Sequence, residues 1–351
     1  MNYSFDTIRN IEIEISTFCN AACPQCPRNN YGGKTIENLP LINWDLADLK
    51  RALDIDFVQQ LELIYFCGTY GDPLMNPNLV EMCTWLTETN PKLKIGIHTN
   101  GGVGRKETFK QLSKLVSFVA FGIDGLEDTN HLYRRNTDWD TIIENAKLYI
   151  DAGGRAVWDF IVFQHNQHQV DRAKDLSASL GFSEFNIKKT GRFFNKNHQL
   201  VDRIDVLDND GNKEYELLPP TNEYLNSSYS SIQKTDILDY IATTKINCYW
   251  MNNHKLYIGA DGNVFPCGFL HDRLYGLEAE SNNDHVKILN MMSGCDTNVF
   301  KKNLKDIVGG EWFNRIRQSW NADRLERCAM MCGNTINILK DQNIQIKYKE
   351  N

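Results

Sequence analysis

Along its first half the chain alternates between two hydrophobic rhythms. Ile11-Glu12-Ile13-Glu14-Ile15 repeats every second residue, as a half-buried strand does. Further short runs rich in apolar, β-branched and aromatic residues follow at 61–66, 93–98, 118–123 and 156–163, and 184–188 makes a sixth. Between them a helical rhythm predicts helices over 44–52, 79–88, 106–115, 139–152 and 170–180. Asn78 is the expected N-cap of the second, and Gly181 stands where the last should stop. Strand and helix alternating at this spacing make an α/β fold with a parallel sheet, either open and doubly wound or curled into a barrel. Six units fall short of the eight of a complete barrel. No GxGxxG follows the first strand, which counts against a dinucleotide fold.

From 192 to 246 the rhythm loosens. Asp208-Asn209-Asp210-Gly211-Asn212 is turn chemistry, Pro219-Pro220 breaks any helix, and residues 226–231 read as polar and flexible. A second unit begins near Cys248, with Lys255-Leu256-Tyr257-Ile258, Asp261-Gly262 and Asn263-Val264-Phe265 reading as a β-hairpin and 312–320 as a helix. The expected division is a first domain over 1–191, a connector over 192–245 that covers part of the site, and a second domain over 246–351. A length of 351 residues suits two units.

Composition narrows the function. With 42% hydrophobic and 24% charged residues the chain fills a core. Its 38 Lys+Arg against 45 Asp+Glu leave a net charge of −7, the wrong sign for a protein living mainly on nucleic-acid phosphates. No apolar stretch approaches the ~18 residues of a spanning helix, and the first residues lack the basic start and apolar run of a signal peptide. A cytoplasmic location and no membrane partner are expected. Ten cysteines are the anomaly. In a cytosolic chain, clustered cysteines are metal ligands or redox groups before they are disulfides.

Cys19, Cys23 and Cys26 stand as CxxxCxxC directly after the first strand. Three thiolates on one short loop can hold three irons of a [4Fe–4S] cube and leave the fourth open; a structural zinc site, the alternative, prefers four closing ligands. The motif and its place resemble the radical S-adenosylmethionine (SAM) superfamily. The resemblance implies a partial (β/α)6 TIM-like barrel. It also implies that SAM chelates the open iron and is split by one electron to a 5′-deoxyadenosyl radical that abstracts hydrogen from a substrate. A flavodoxin- or ferredoxin-type donor would deliver the electron. The family often has an aromatic residue before the last cysteine, where this chain has Gln25.

The same resemblance assigns roles at successive strand ends. Cys67-Gly68-Thr69-Tyr70-Gly71-Asp72-Pro73 is similar to the family's Gly-Gly-Glu-Pro segment. It casts Gly68, Gly71 and Asp72 against the SAM amino group, with Asp72 shorter than the usual glutamate. Asn100, Asp124 (at the ribose) and Asn166 follow as SAM contacts, and Arg134, with Arg135, as a partner for its carboxylate. Lys188, Lys189 and Arg192 stand beyond the sixth strand, as surface charges or further contacts.

The later cysteines repeat the theme. Cys248, Gly262 and Cys267 match C-x(9–15)-G-x4-C, which resembles the opening of SPASM and twitch auxiliary-cluster domains. With Cys328 and Cys332 they would close one auxiliary [4Fe–4S] cluster in a small α+β domain; zinc is again the alternative. The seven-cysteine SPASM pattern is absent. Cys83 is expected in the core, Cys67 at a strand end, and Cys295 as a catalytic hydrogen donor or a spare thiol. SPASM and twitch relatives make a ribosomal peptide or protein the leading substrate, for epimerisation, crosslinking or oxidation. The short segment before Cys19 would leave no room for a leader-peptide recognition domain there. Oxidation of a small alcohol or sugar comes second, an RNA substrate third, and a zinc-stabilised binding protein is the non-enzymatic alternative.

Overall fold

The computed structural model describes residues 3–195, 199–275, 283–336, 338 and 343–348. β1 (Asn10–Ile13), β2 (Leu63–Phe66), β3 (Lys94–Thr99), β4 (Phe118–Gly122), β5 (Ala156–Val162) and β6 (Glu184–Lys189) lie side by side in chain order. Every neighbouring pair among them is parallel, so the expected α/β partial barrel is what the chain builds. Helices Leu46–Ala52, Leu79–Thr89, Lys106–Leu115, Trp139–Asp151 and Val170–Leu180 form the crossovers. Phe121 of β4 shows how the layers lock. It meets Phe109 at 6.2 Å and Tyr149 at 6.2 Å, each on a crossover helix, and Phe182 at 6.0 Å. Burying one such ring is worth roughly 1.5–3 kcal/mol.

Local chemistry sets the helix ends. Asp45 and Asp138 cap theirs by accepting from Asp48 N and Thr141 N, and Gly181 closes Val170–Leu180 in the left-handed region at φ 88°. Asn78 is at the N-cap position but makes no side-chain cap bond. Its Nδ2 instead donates to Trp44 O at 3.2 Å, tying the helix to the preceding unit.

Residues 204–217 form a hairpin, β7 (Ile204–Leu207) with β8 (Lys213–Leu217), turned by the expected 208–212 segment. Residues 226–231 depart from expectation: Ser228–Gln233 is helical. Asn226 Oδ1 accepts from Ser228 N and Oγ, and Tyr229 and Ile232 are buried, so packing overrides a polar sequence.

Both edges of the barrel sheet are covered. β9 (Lys255–Ile258) runs parallel to β1, and β10 (Val264–Phe265) pairs antiparallel with β9. The expected second unit therefore shares the main sheet. β11 (Asn343–Lys347) runs antiparallel to β6. Among the described residues no helix is long and apolar enough to cross a membrane.

Candidate functional site

The loop leaving β1 carries Cys19, Cys23 and Cys26, all free thiols; Cys23 is buried and the other two half-buried. A turn closed by Cys26 N on Cys23 O at 3.0 Å brings the last two together. Arg28 Nη1 pins the loop to its neighbour by donating to Thr17 O and to Tyr70 O. Each sulfur has a polar neighbour: Asn100 Nδ2 lies 3.6 Å from Cys19 Sγ, Arg134 Nη1 3.8 Å from Cys23 Sγ, and Cys26 Sγ 3.6 Å from Thr69 O. Burial pushes all three thiols up; at Cys23 the Arg134 charge opposes it and the thiol stands at about 11.

The loop after β2 packs directly on this one. A Cβ on Gly71 would lie 1.9 Å from Ser16 O, and one on Gly68 would lie 1.8 Å from Gly71 O; only glycine lets the two backbones approach so closely. Asp72 is buried and already accepts from three donors. Its carboxylate accepts from Thr99 Oγ1 at 2.9 Å, Asn100 N at 2.9 Å and Leu74 N at 3.0 Å. It ties the end of β3 to the glycine loop.

The other expected contacts are engaged in the same way. Asp124, fully buried, binds Arg134 Nε at 2.6 Å and accepts from Ile161 N at 2.5 Å. The residues expected at the ribose and at the cofactor carboxylate are thus each other's partners. Asn166 accepts from Phe163 N and donates to Asp124 O and Ile161 O. Asn100 donates to Asn20 Oδ1 and accepts from Gly102 N. All these residues meet at the carboxyl end of the sheet, and their side chains brace the loops. Arg135 is turned away, onto Glu214 and Tyr215 of β8. The braces missed in the sequence are Arg28, Asn20 and Thr99; an arginine two residues beyond Cys26 was the available signal.

Inside the barrel, His98, Asp159 and Lys188 project from β3, β5 and β6. Asp159 Oδ2 is 3.6 Å from His98 Nε2 and 3.3 Å from Lys188 Nζ, and Asn186 donates to its other oxygen. Burial holds His98 down to about 4 against the pull of Asp159.

A second thiol set, Cys248, Cys267, Cys328 and Cys332, lines a small cavity of about 20 Å³, with Trp250 and Phe269 among its apolar walls. Tyr249 N donates to Cys332 Sγ at 3.5 Å, and a sulfur–sulfur hydrogen bond from Cys332 lowers the Cys248 thiol. Among the described residues no three Cys, His, Asp or Glu side chains are gathered tightly enough to grip a single metal ion; a cube spreads its thiolates over separate irons. Cys295 is half-buried in the turn after helix Asn283–Met292, and is not among the residues lining this cavity. Cys83 is in the core, as expected.

Beside the first set opens a cleft of about 580 Å³, walled by Gln25 and Cys26, by Arg192, by β7 residues of the connector, and by Asp272, Arg273 and Arg327. The connector thus covers part of the site region.

A family model described as the radical SAM superfamily matches residues 13–177. A tungsten-containing aldehyde ferredoxin oxidoreductase cofactor-modifying protein of Pyrococcus furiosus is 22% identical over 91% of this chain and 86% of its own. Streptococcus suis SuiB bound to precursor peptide SuiA superposes with a TM-score of 0.54 at 15% identity, over 87% of this chain. This chain spans 66% of SuiB, just under two thirds. Native anSMEcpe with bound S-adenosylmethionine and Cp18Cys peptide gives 0.53 at 13% identity, covering 94% of this chain and 92% of that one. At these identities the structural likeness is one of fold.

Proposed function

We propose, from the match of residues 13–177 to the radical SAM family model, that Cys19, Cys23 and Cys26 hold a [4Fe–4S] cluster. The observation that carries this is the loop itself: three free thiols at the carboxyl end of β1, with N–H donors of Asn100 and Arg134 near two of the sulfurs. Such donors suit thiolates of a cluster, whose potential responds to hydrogen bonds at sulfur. When bound, the cluster and SAM supply one electron to the sulfonium and a 5′-deoxyadenosyl radical for hydrogen abstraction.

The chain's own residues hold and shape that site. Gly68 and Gly71 let backbone groups come close, and Asp72, Asn100, Asp124, Asn166 and Arg134 fix the loops by bonding one another; in this reading they act as positioning residues for SAM. The four later thiols, lining an apolar cavity, fit an auxiliary [4Fe–4S] cluster held by Cys248, Cys267, Cys328 and Cys332. Burial in an apolar wall keeps water from it. We assign the first domain to 1–191, the connector to 192–245 and the auxiliary domain to 246–351. Cys295, distant in sequence from both loops, is retained as a candidate hydrogen donor. A flavodoxin- or ferredoxin-type protein is the proposed electron source.

For substrate, a peptide is the leading proposal, supported by the size of the cleft and by two fold neighbours that bind peptides, SuiB with SuiA and anSMEcpe with Cp18Cys. A small molecule is the second reading, supported by the cofactor-modifying relative; a small alcohol or sugar belongs to the same class. The test is direct. Replacing Cys19, Cys23 and Cys26 by Ala should abolish 5′-deoxyadenosine formation from SAM under reducing, anaerobic conditions. Retained formation refutes the assignment, and stoichiometric zinc without labile sulfide in the native protein would favour the binding-protein alternative.

A further inference from the structure

The two faces of the barrel sheet are built differently. Along one face Ile13, Phe66, Ile97, Phe121 and Phe160 are fully buried in the core. The interior of a barrel is ordinarily packed with layers of bulky apolar side chains as well. Here the inner positions instead carry Tyr65 of β2, His98 of β3, Asp159 of β5 and Asn186 and Lys188 of β6. This layer is not closed, because the His98 and Lys188 side chains keep 34% and 27% of their surface exposed. β4 lets the polar groups meet. In the strand register Ala120 stands beside His98 and Gly122 beside Asp159, and these small residues leave room for the longer side chains to reach across.

Charge in the layer is balanced. Asp159 pairs with Lys188 at 3.3 Å, and Glu12 of β1 with Lys255 at 3.7 Å. Arg134 is spent on Asp124, and burial keeps His98 neutral, down to about 4. What stays open is hydrogen-bonding capacity of both kinds. A carboxylate only accepts, so the neutral imidazole turns its N–H toward Asp159 and keeps Nδ1 as an acceptor; the ring makes no hydrogen bond among the described residues. Asn186 Nδ2 donates to Asp159 Oδ1 at 2.8 Å, while its own Oδ1 is buried without a donor, a condition that native interiors rarely leave unanswered. The Tyr65 hydroxyl stands close enough to Asp159, Cys67 and Glu12 to feel their charges, and no protein group bonds it. Lys188 has further N–H groups to give. A carboxylate or phosphate would leave the open acceptors unused, and an ammonium group would have to displace Lys188 from Asp159. A hydroxyl donates and accepts at one atom, and so uses both kinds.

We propose that Tyr65, His98, Asn186 and Lys188, arranged around Asp159, form a subsite that holds a hydroxyl group of the substrate inside the barrel, on a small polyol or on a seryl side chain. The subsite lies near the first cysteine loop: Arg134, whose charge acts on His98, has Nη1 3.8 Å from Cys23 Sγ. This deepens the radical SAM reading and rests on it only for what becomes of the bound group.

The experiment is isothermal titration calorimetry of the reconstituted, anaerobic holoprotein with myo-inositol and with N-acetylserinamide. N-acetylalaninamide, which lacks only the hydroxyl, is the control, and 5′-deoxyadenosine formation is assayed on the same preparation. At least one hydroxyl probe should bind saturably, and the alanine analogue at least tenfold more weakly than the serine one wherever the latter binds. Tyr65→Phe keeps the ring that stacks on Phe118 at 5.8 Å and should weaken binding by about fivefold to tenfold; Asn186→Leu should weaken it too. Lys110→Gln, on an exposed helix face, should leave it unchanged. Binding of myo-inositol alone assigns a small polyol, of N-acetylserinamide alone a seryl side chain, and of both a subsite that reads the hydroxyl whatever carries it. No saturable binding, equal binding of the serine and alanine analogues, or equal loss in Tyr65→Phe and Lys110→Gln overturns the proposal. Hydroxyl binding without SAM cleavage would remove the radical reading and keep the subsite; SAM cleavage without hydroxyl binding would remove the subsite alone.

Discussion

At the scale of single residues, the polar side chains near the first cysteine loop are committed to each other before any ligand arrives. The Arg134–Asp124 pair is the tightest example, with Asp124 fully buried and Arg134 nearly so. Removing one partner of such a pair leaves the other charge uncompensated, at a cost of roughly 3–5 kcal/mol. Arg134→Ala should therefore lose about that much in urea unfolding, while the double change Arg134→Gln with Asp124→Asn loses clearly less than the two singles combined. Strict additivity would show that the two groups do not act on each other. A second residue acts through protonation. His165 stacks on Phe163 and has a buried, unbonded Nε2; burial first, then the nearby His131 and His168, hold it down to about 4. The unfolded chain takes up a proton near pH 6.5 that the folded site refuses down to pH 4, so stability falls as pH drops through that window. His165→Phe should flatten the decline of thermal stability between pH 6.5 and 4 by about 1 kcal/mol; an unchanged slope counts against it.

At the scale of elements, the six barrel strands and their crossover helices were legible because each repeats a period that one buried face imposes. Phe109, Phe121, Ile142 and Tyr149 fall on those faces in the sequence and meet in the core. The helix Ser228–Gln233 was not legible, since only Tyr229 and Ile232 anchor it and its capping bond comes from a side chain of the preceding turn. The cysteine loops could be read from spacing, whereas the commitments of Asp72, Asp124 and Asn166 could not. Hydrogen bonds between strand ends depend on which residues the sheet brings within 3 Å, and local sequence does not encode that. β11 had a signal, the alternation Asn343-Ile344-Gln345-Ile346-Lys347, and its place is informative. It pairs with β6 from Glu184 to Lys188, and Tyr348 bonds Ser177 at 2.7 Å on the crossover helix. Without it, β6 becomes an open edge of a mostly parallel sheet, a ready template for another chain. A chain ended at residue 342 should melt several degrees lower and show new dimers or larger species in light scattering. A monomer of unchanged stability would mean that β11 adds nothing to the edge.

At the scale of the whole molecule, the two thiol sets face separate spaces, Cys26 the cleft and the four later cysteines a small apolar cavity, yet the sheet joins the elements that carry them. β9 pairs with β1 along its length, and Glu14, fully buried just beyond β1, gathers Thr69 N from the glycine loop and the Tyr257 hydroxyl from β9. His271, four residues past Cys267, lies between Glu14 and Asp261, 3.8 and 3.2 Å away. A change at the second set is therefore felt as loosening along the β1 edge, even though its thiols do not touch the first loop's. The proposed auxiliary cluster would fill the cavity that Trp250, Phe269 and Leu270 help to line, and a metal held only in the folded state adds its binding energy to folding. Changing Cys248, Cys267, Cys328 and Cys332 together to Ala should leave about four irons per chain from the first loop. It should lower the melting temperature by several degrees and keep 5′-deoxyadenosine formation within about an order of magnitude of the parent, since the first loop and its braces are intact. Substrate turnover, in which the proposed auxiliary cluster takes part, should fall much further. Iron analysis, calorimetric melting and the two product assays separate these effects. An iron content equal to the parent's, or an unmoved melting temperature, would show that the second set carries no metal. Loss of all iron would show instead that the β1–β9 edge, not the thiols, governs assembly of the first site.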